Sequence, residues 1–164
     1  LNSSIMLIGE APGAKEVEMG EPFVGQAGKH FEEFLEVLDI KREDVYITNS
    51  VKYRPTRMSI KTQRLSNRTP TKKEIDAFRE YLYEEINIIN PEIIVTLGNI
   101  PLKAIFNDNL KIGEVHGKSM EIKIRDINYK IFALYHPAAV IYRRELKDIY
   151  MEDLKKLKKE IKNL

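Results

Sequence analysis

Cysteine is absent from the chain. Its absence removes disulfides, thiolate nucleophiles and cysteine-held metal or iron–sulfur centres, and it fits a reducing, cytoplasmic setting. No metal or cofactor is expected. Long apolar runs are missing as well: nothing approaches the roughly 20 residues of a membrane-crossing helix, and no charged-apolar-small order at the start reads as a secretory signal. A membrane partner is therefore not expected. The chain opens on Leu1, so a further segment upstream is expected. Acids vanish between Val45 and Lys73, while Lys52, Arg54, Arg57, Lys61, Arg64, Arg68, Lys72 and Lys73 fall within that segment. So one-sided a stretch suits a polyanion such as a phosphate backbone, and it reads equally as a solvated basic loop. The net charge of +2 hides it, because acids crowd the region from Gly9 to Asp44.

What is present bounds the fold. With 164 residues, 43% of them hydrophobic, the chain is long enough for one real core and too short for two, so residues 1–164 are expected to form a single domain. A monomer is the default expectation. Ser3 to Ile8 reads as a strand covered on both faces, Gln26 to Leu38 as a helix, and Val45 to Asn49 as a second strand. Ser50 to Pro70 is too long for an ordinary loop, so it is either functional or mobile. Thr71-Lys-Lys-Glu74 forms a capping box for a helix that carries Ile75, Phe78, Leu82, Ile86 and Ile89 and ends near Asn90-Pro91. Glu92 to Leu97 is a third strand. A short helix through Phe106 follows, with Asn99 as its expected cap. Lys111 to Asn128 reads as a small β-ribbon excursion, and Ile131 to Tyr135 as the fourth main strand. The last helix is expected from Arg144 to Lys162, burying Leu146, Ile149, Tyr150, Leu154, Leu157 and Ile161. The sum is an α/β chain: a three-layer α/β/α sandwich around a mainly parallel four-stranded sheet.

Glycine is scarce, and five of the eight glycines stand between Gly9 and Gly28. Backbone freedom is thus concentrated where a strand ends and a helix begins, the usual ligand edge of an open α/β sheet. The stretch lacks the Gly-Lys-Ser/Thr ending of a phosphate loop and the dinucleotide spacing. A nucleotide hydrolase built on it is therefore disfavoured. Instead Pro12 and Pro22 stiffen a loop that holds Phe23 beyond the strand end, where its ring is expected to be exposed and to stack on a flat ligand. Plain core packing is the other reading of Phe23. Glu10, Asn49 and His136 also fall at strand ends, and parallel strands bring those ends to one edge. Taken singly, Asn49 is more often a turn or cap residue, and a histidine before proline more often a satisfied strand-end side chain.

The blocks Gly9-Glu-Ala-Pro-Gly13, Gly20-Glu-Pro-Phe-Val-Gly-Gln-Ala-Gly28, Thr48-Asn-Ser-Val-Lys52 with Arg54-Pro55, Asn67-Arg-Thr-Pro70 with Glu74, Leu97-Gly98 and Tyr135-His-Pro-Ala-Ala139 follow one another across almost the whole chain. Together they resemble the uracil-DNA glycosylase superfamily, in particular its family 4. That resemblance implies an enzyme of base excision repair that flips uracil out of DNA, cleaves its N-glycosidic bond and releases free uracil. It implies that Asn49 reads the uracil O4 and N3 edge, that Phe23 stacks on the base, and that His136 donates to O2. Backbone N–H groups at Glu10 and Ala11, with Pro12 and Gly13 beside them, would complete the base site. Glu16 would orient the attacking water, or equally cap the following turn. Gly13 stands where thymine-excluding members of other families place a tyrosine, which implies weaker discrimination against thymine. Val140 and Ile141 would fill the gap left by the flipped base, or begin the apolar face of the last helix. Lys52, Arg54, Arg68, Arg143 and Arg144 would take phosphates.

The sequence departs from that family in two places. Family 4 members hold a four-iron cluster with four cysteines, two of them near the basic loop; Tyr53 and Phe78 stand at those two positions. The aromatic pair is expected to pack where the cluster would sit. Eleven extra residues separate Pro55 from Asn67. The rival to an active glycosylase is a catalytically weak or inactive nucleic-acid-binding relative that keeps the pocket. Ala11 stands where the best-known glycosylase families have a water-activating aspartate; a small residue there is consistent with family 4, and it leaves the base for the water open.

Overall fold

A computed structural model describes residues 3–107 and 109–164. Strand β1 (Ile5–Gly9) leads through a short helix α1 (Ala14–Met19) into helix α2 (Gln26–Leu38), and strand β2 (Val45–Asn49) follows. A hairpin of β3 (Thr56–Met58) and β4 (Leu65–Asn67) precedes helix α3 (Lys72–Ile89), strand β5 (Ile93–Leu97), helix α4 (Asn99–Phe106) and the single turn α5 (Ile112–Val115). Strands β6 (Ser119–Ile124) and β7 (Ile127–Leu134), helix α6 (Pro137–Tyr142) and the long α7 (Lys147–Lys162) complete the order.

The main sheet runs β2-β1-β5-β7-β6. Its first four strands are parallel, and β6 pairs antiparallel with β7. Period-2 alternation along these strands makes the three layers. In β1, Ile5 and Leu7 point into a core shared with Phe31, Phe34, Leu35 and Leu38 of α2 and with Tyr150, Leu154 and Leu157 of α7. Met6 and Ile8 point the other way, onto Ile75, Leu82 and Ile86 of α3 and Ile100, Ala104 and Ile105 of α4. Strands β5 and β7 split in the same manner, Val95 and Phe132 to the first core, Ile94 and Ile131 to the second. Each fully buried side chain of this size contributes about 1.5–3 kcal/mol, so the two cores fix which helix covers which face.

The expected α/β/α sandwich and its four strands are present. The segment expected as an excursion instead extends the sheet: β6 is a fifth, antiparallel edge strand, joined to β7 by Arg125 and Asp126, both at positive φ (47° and 69°). A two-residue turn with both φ positive matches the right-handed twist of a hairpin, which is why the ribbon closes onto the sheet rather than away from it. The capping box is formed as expected: Thr71 Oγ1 accepts from the Glu74 amide and the Glu74 carboxylate from the Thr71 amide. Asn99 is not the cap of α4. Gly98, at φ 86°, holds the cap position, and the Asn99 carboxamide reaches forward to accept from the Ile112 amide at 2.8 Å. The last helix starts at Lys147, after a 3-10 turn from Arg144 to Leu146. Ile149 is 41% exposed, whereas Asp153 is buried beneath Gly117 and bonded to His116 Nδ1 at 2.6 Å. No helix of the described residues is long and apolar enough to cross a membrane.

Candidate active site

Parallel strands end on one edge, and there the chain opens a cleft of about 540 Å³. Glu10, Ala11, Pro12, Gly13, Glu16, Phe23, Asn49 and His136 all line it. They come from the ends of β1, β2 and β7 and from the loops that follow, residues far apart in sequence. Every base-site residue expected from the sequence is therefore gathered here.

Gly9 makes the gathering possible. It ends β1 in register with Asn49, and a Cβ placed on it would lie 2.6 Å from Asn49 Oδ1 and 2.8 Å from Phe23 Cζ. Only a bare backbone lets carboxamide and ring close over the strand end. Ser50 ties β2 to this point, its amide and hydroxyl both donating to the Gly9 carbonyl at 2.9 and 2.8 Å. Lys52 folds back beneath Asn49: its ammonium donates to the Asn49 carbonyl (2.8 Å), to Thr48 Oγ1 (2.7 Å) and to Glu85 (2.5 Å). Lys52, expected on a phosphate, thus braces the loop that carries Asn49, because Glu85 on α3 already compensates its charge.

Phe23 is not exposed as expected. It is 8% exposed, in the left-handed region at φ 52°, and stacks on Phe31 with centroids 4.7 Å apart. Arg42 holds it there, donating to the Pro22 and Phe23 carbonyls while its guanidinium lies over the Phe31 ring at 5.2 Å. Gly28 lets the Phe23 carbonyl pass, since a Cβ there would meet it at 2.5 Å. The flanking Pro22 and Gly25 suggested a projecting ring; in fact the turn tucks the ring against α2 and leaves it as a wall of the cleft.

His136 caps α6, its Nδ1 accepting from the Ala138 amide at 3.1 Å. That bond needs a bare Nδ1, so the neutral ring carries its proton on Nε2. Burial pushes the His136 pKa down, which favours the same neutral form. The ring lies 6.4 Å from that of Phe23. Burial also pushes the Glu10 carboxyl up from its ordinary value. Glu16, in the first turn of α1, accepts from the Gly25 amide at 3.1 Å, and its other oxygen lies where a Cβ on Gly13 would be, 2.8 Å away. The capping reading of Glu16 is thus realised, yet its carboxylate also faces the cleft. A tyrosine at position 13 would evict it.

Of the residues expected on DNA, Arg68 and Ile141 line this cleft. Ile141 is 46% exposed, whereas Val140 packs partly against the core and, with Arg144, lines a neighbouring apolar hollow. Neither begins the last helix: both stand on α6, with Val140 turned to the core and Ile141 half exposed. Arg54 donates to Asn67 at 2.6 Å, and Arg143 pairs with Glu145 on the surface. Sequence reasoning missed Tyr142, 83% exposed and lining the cleft, and it gave Asn67 and Gly9 no part. An aromatic directly after Val140-Ile141 was the available signal for Tyr142; nothing in the sequence singled out Gly9 from its neighbours.

A four-iron cluster does not fit this chain. The rings at its two inner positions, Tyr53 and Phe78, lie 5.7 Å apart, and Tyr81 joins Phe78 at 6.2 Å. Beside them Arg68 donates twice to Glu74, at 2.7 and 3.1 Å, which holds the Glu74 carboxyl below its ordinary range. The expected aromatic contact is present, and an ion pair supplements it.

An open α/β sheet with a cleft at its carboxyl edge, where the Phe23 ring, the Asn49 carboxamide and the His136 imidazole meet, defines a class of binding site for a flat, polar heterocycle. Comparison with known proteins narrows that class. Residues 1–158 match the family model described as the Uracil DNA glycosylase superfamily, and the chain belongs to that superfamily. It is 41% identical to the Type-4 uracil-DNA glycosylase of Archaeoglobus fulgidus over 94% of this chain and 75% of that protein. It is 42% identical to the Type-4 enzyme of Sulfurisphaera tokodaii, over 95% and 69% of the two chains. For the Type-4 enzyme of Thermotoga maritima the identity is 38%, over 99% and 80%.

Proposed function

We propose that this chain is a monofunctional uracil-DNA glycosylase, a single domain over residues 1–164 acting as a cytoplasmic monomer. It hydrolyses the N-glycosidic bond of uracil in DNA, leaving an abasic site and free uracil. The observation that carries the reading is the meeting of Phe23, Asn49 and His136 in one cleft, the first from the loop between α1 and α2 and the other two from the ends of β2 and β7.

A flipped uracil stacks beside Phe23, which Phe31 already backs. The Asn49 carboxamide donates to O4 and accepts from N3–H. Cytosine presents an amino group and a bare N3 in those places, so an Asn49 amide held in this orientation would have both ends unpaired against it, which disfavours it. As the C1′–N1 bond breaks, its electron pair leaves with the base and negative charge spreads to O2. His136 Nε2–H and the backbone amides of Glu10 and Ala11 lie on the cleft wall to receive that charge. One such donor supplies roughly 3 kcal/mol, about a hundredfold in rate. Water adds to C1′ on the sugar side and gives up its proton towards the Glu16 carboxylate. Ile141 fills the gap in the stack, and Arg54, Arg143 and Arg144 take flanking phosphates, whereas Arg68, expected there, is held on Glu74 and the Thr56 carbonyl. Gly13 leaves no bulk against a thymine methyl.

The loss of the cluster positions favours one second reading, a DNA-binding relative with an idle pocket. An end-labelled single-stranded oligonucleotide with one uracil separates the two. Alkali-sensitive cleavage supports the enzyme, and retention without cleavage supports the binder. Asn49→Ala and His136→Ala should each lower the rate at least a hundredfold while the protein stays folded; near-normal rates in both would refute the site.

A further inference from the structure

The hairpin of β3 and β4 touches the site just described only through Asn67 at its base, and its tip has no role there. Its register pairs Thr56 with Asn67, Arg57 with Ser66 and Met58 with Leu65. The Ser59 amide donates to the Arg64 carbonyl at 2.9 Å and extends the ladder one step towards the turn. Side chains alternate across such a ribbon, so Met58 and Leu65 share a face with Asn67, while Arg57 and Arg64 lie on the other. Asn67 lines the cleft. The apolar pair therefore continues the cleft wall outward.

Three features of this ribbon call for a partner. Met58 and Leu65 are each 55% exposed and Ile60, at the turn, 92%. Aliphatic side chains clustered on a two-stranded tip are a liability unless something covers them. Arg57, Lys61 and Arg64 form no ion pair among the described residues, although the chain's other surface cations commonly do. The base of the ribbon is rigid: Arg68 donates to the Thr56 carbonyl at 3.0 Å from its grip on Glu74, and the Arg68 amide to the Pro55 carbonyl at 3.1 Å. A stiffly mounted ribbon, apolar on one face and cationic on the other, is suited to meet bases and phosphates together.

We infer that the β3–β4 hairpin is a DNA-gripping finger: Met58, Leu65 and Ile60 lie against bases flanking the flipped nucleotide, and Arg57, Lys61 and Arg64 neutralise the adjoining phosphates. Charge complementarity selects DNA as the occupant, since no acid stands anywhere from Val45 to Lys73. Continuity with the cleft selects the position, since Pro55, Asn67 and Arg68 at the ribbon's base and Ile141 and Tyr142 of α6 border the same opening. The inference rests on the uracil-DNA reading for what the cleft holds. Long side chains on the cationic face reach phosphates around a ribbon only two strands wide, about 5 Å from strand to strand.

Two variants test the finger, the triple R57Q/K61Q/R64Q and the double M58S/L65S, both on exposed positions and both checked by circular dichroism. Affinity of the triple variant for a fluorescent, uracil-free single strand, measured against salt, should show a slope shallower by about 2, from roughly 0.7 per lost phosphate contact. Uracil release by the double variant should show KM raised about tenfold on a 20-nucleotide strand with kcat within twofold, and a loss at least five times smaller on a trinucleotide that fills only the cleft. An unchanged salt slope, or equal losses on long and short substrates, overturns the finger. A parent protein that releases no uracil from either substrate overturns the glycosylase reading instead, and the salt slope then still decides the finger.

Discussion

Gly9→Ala is the sharpest test of how the site is assembled. Gly9 lies in ordinary extended strand, so alanine there strains no backbone and the substitution probes space alone. Its methyl would stand 2.6 Å from Asn49 Oδ1 and 2.8 Å from Phe23 Cζ. Comfortable contact begins near 3.5 Å, so the amide and the ring must each give way by about 0.7–0.9 Å. Neither retreats freely. Phe31 lies behind the ring at 4.7 Å and Arg42 grips the carbonyls of its turn, while Lys52 and Ser50 hold the backbone that carries Asn49 and the strand end. The strain should cost about 1–3 kcal/mol of stability, the usual range for one inserted methyl, and leave the protein folded. Displacing a base-reading group by nearly 1 Å costs on the order of a hundredfold in rate. Single-turnover release of uracil from an oligonucleotide, with a urea melt of the same preparation, measures both. A Gly9→Ala rate within threefold of the parent would show that Asn49 and Phe23 do not act as a closed pair.

Three further perturbations address other parts of the molecule. The His136 pKa is depressed by burial, so the neutral Nε2–H donor should persist below pH 6.5, and kcat should stay level as pH falls through 6.5 and drop only beneath it; an acid limb centred at or above 6.5 refutes this. The unfolded chain takes up that proton first, so the same depression adds stability above about pH 6.5 that is lost as pH falls towards the folded value. Thr71→Ala removes the cap of α3 and should cost about 1 kcal/mol, a fall of roughly 2–4 °C in Tm, with uracil release unaffected. Asp153→Ala strips His116 of its 2.6 Å partner between the α5–β6 turn and α7 and should cost about 1–2 kcal/mol in a urea melt; a loss under about 0.3 kcal/mol would mean the contact is idle.

The sequence carried those features that depend on local period or on short blocks. The bounds of α2 and β2 follow from apolar spacing between glycine or charged breaks, and the Thr71 box announces α3. Glu10, Asn49 and His136 were legible because each stands next to a strand end, and strand ends of a parallel sheet share an edge. What stayed hidden depends on contacts between distant segments. Phe23 looks exposed beside Pro22 and becomes a wall only because Arg42, nineteen residues on, pulls its carbonyl inward. Lys52 looks like a phosphate ligand until α3 brings Glu85 against it. Asp153 breaks the apolar stripe of α7 and makes sense only beneath Gly117 and His116. The edge strand β6 was obscured by its own alternation, which an isolated ribbon and a sheet edge share.

The missing cluster positions and the added hairpin bear on one mechanical problem. The segment from Ser50 to Thr71 spans the gap between β2 and α3 along the rim of the cleft, and Asn49 at its start must hold a base edge to within a fraction of an ångström. Without an anchor, so long a connection would transmit its motion to Asn49. Here the anchors are non-covalent: Tyr53 on Phe78, Arg68 on Glu74 and on the Thr56 carbonyl, Lys52 on Glu85. Phe78, Glu74 and Glu85 all stand on α3, whose first turn is itself fixed by the box that Glu74 shares with Thr71. Glu74 therefore serves helix cap and loop anchor at once, through separate contacts. Glu74→Gln, which keeps the capping geometry but weakens the grip on Arg68, should loosen the hairpin and raise KM while α3 still forms; if helix content falls and KM does not, the anchor lies elsewhere.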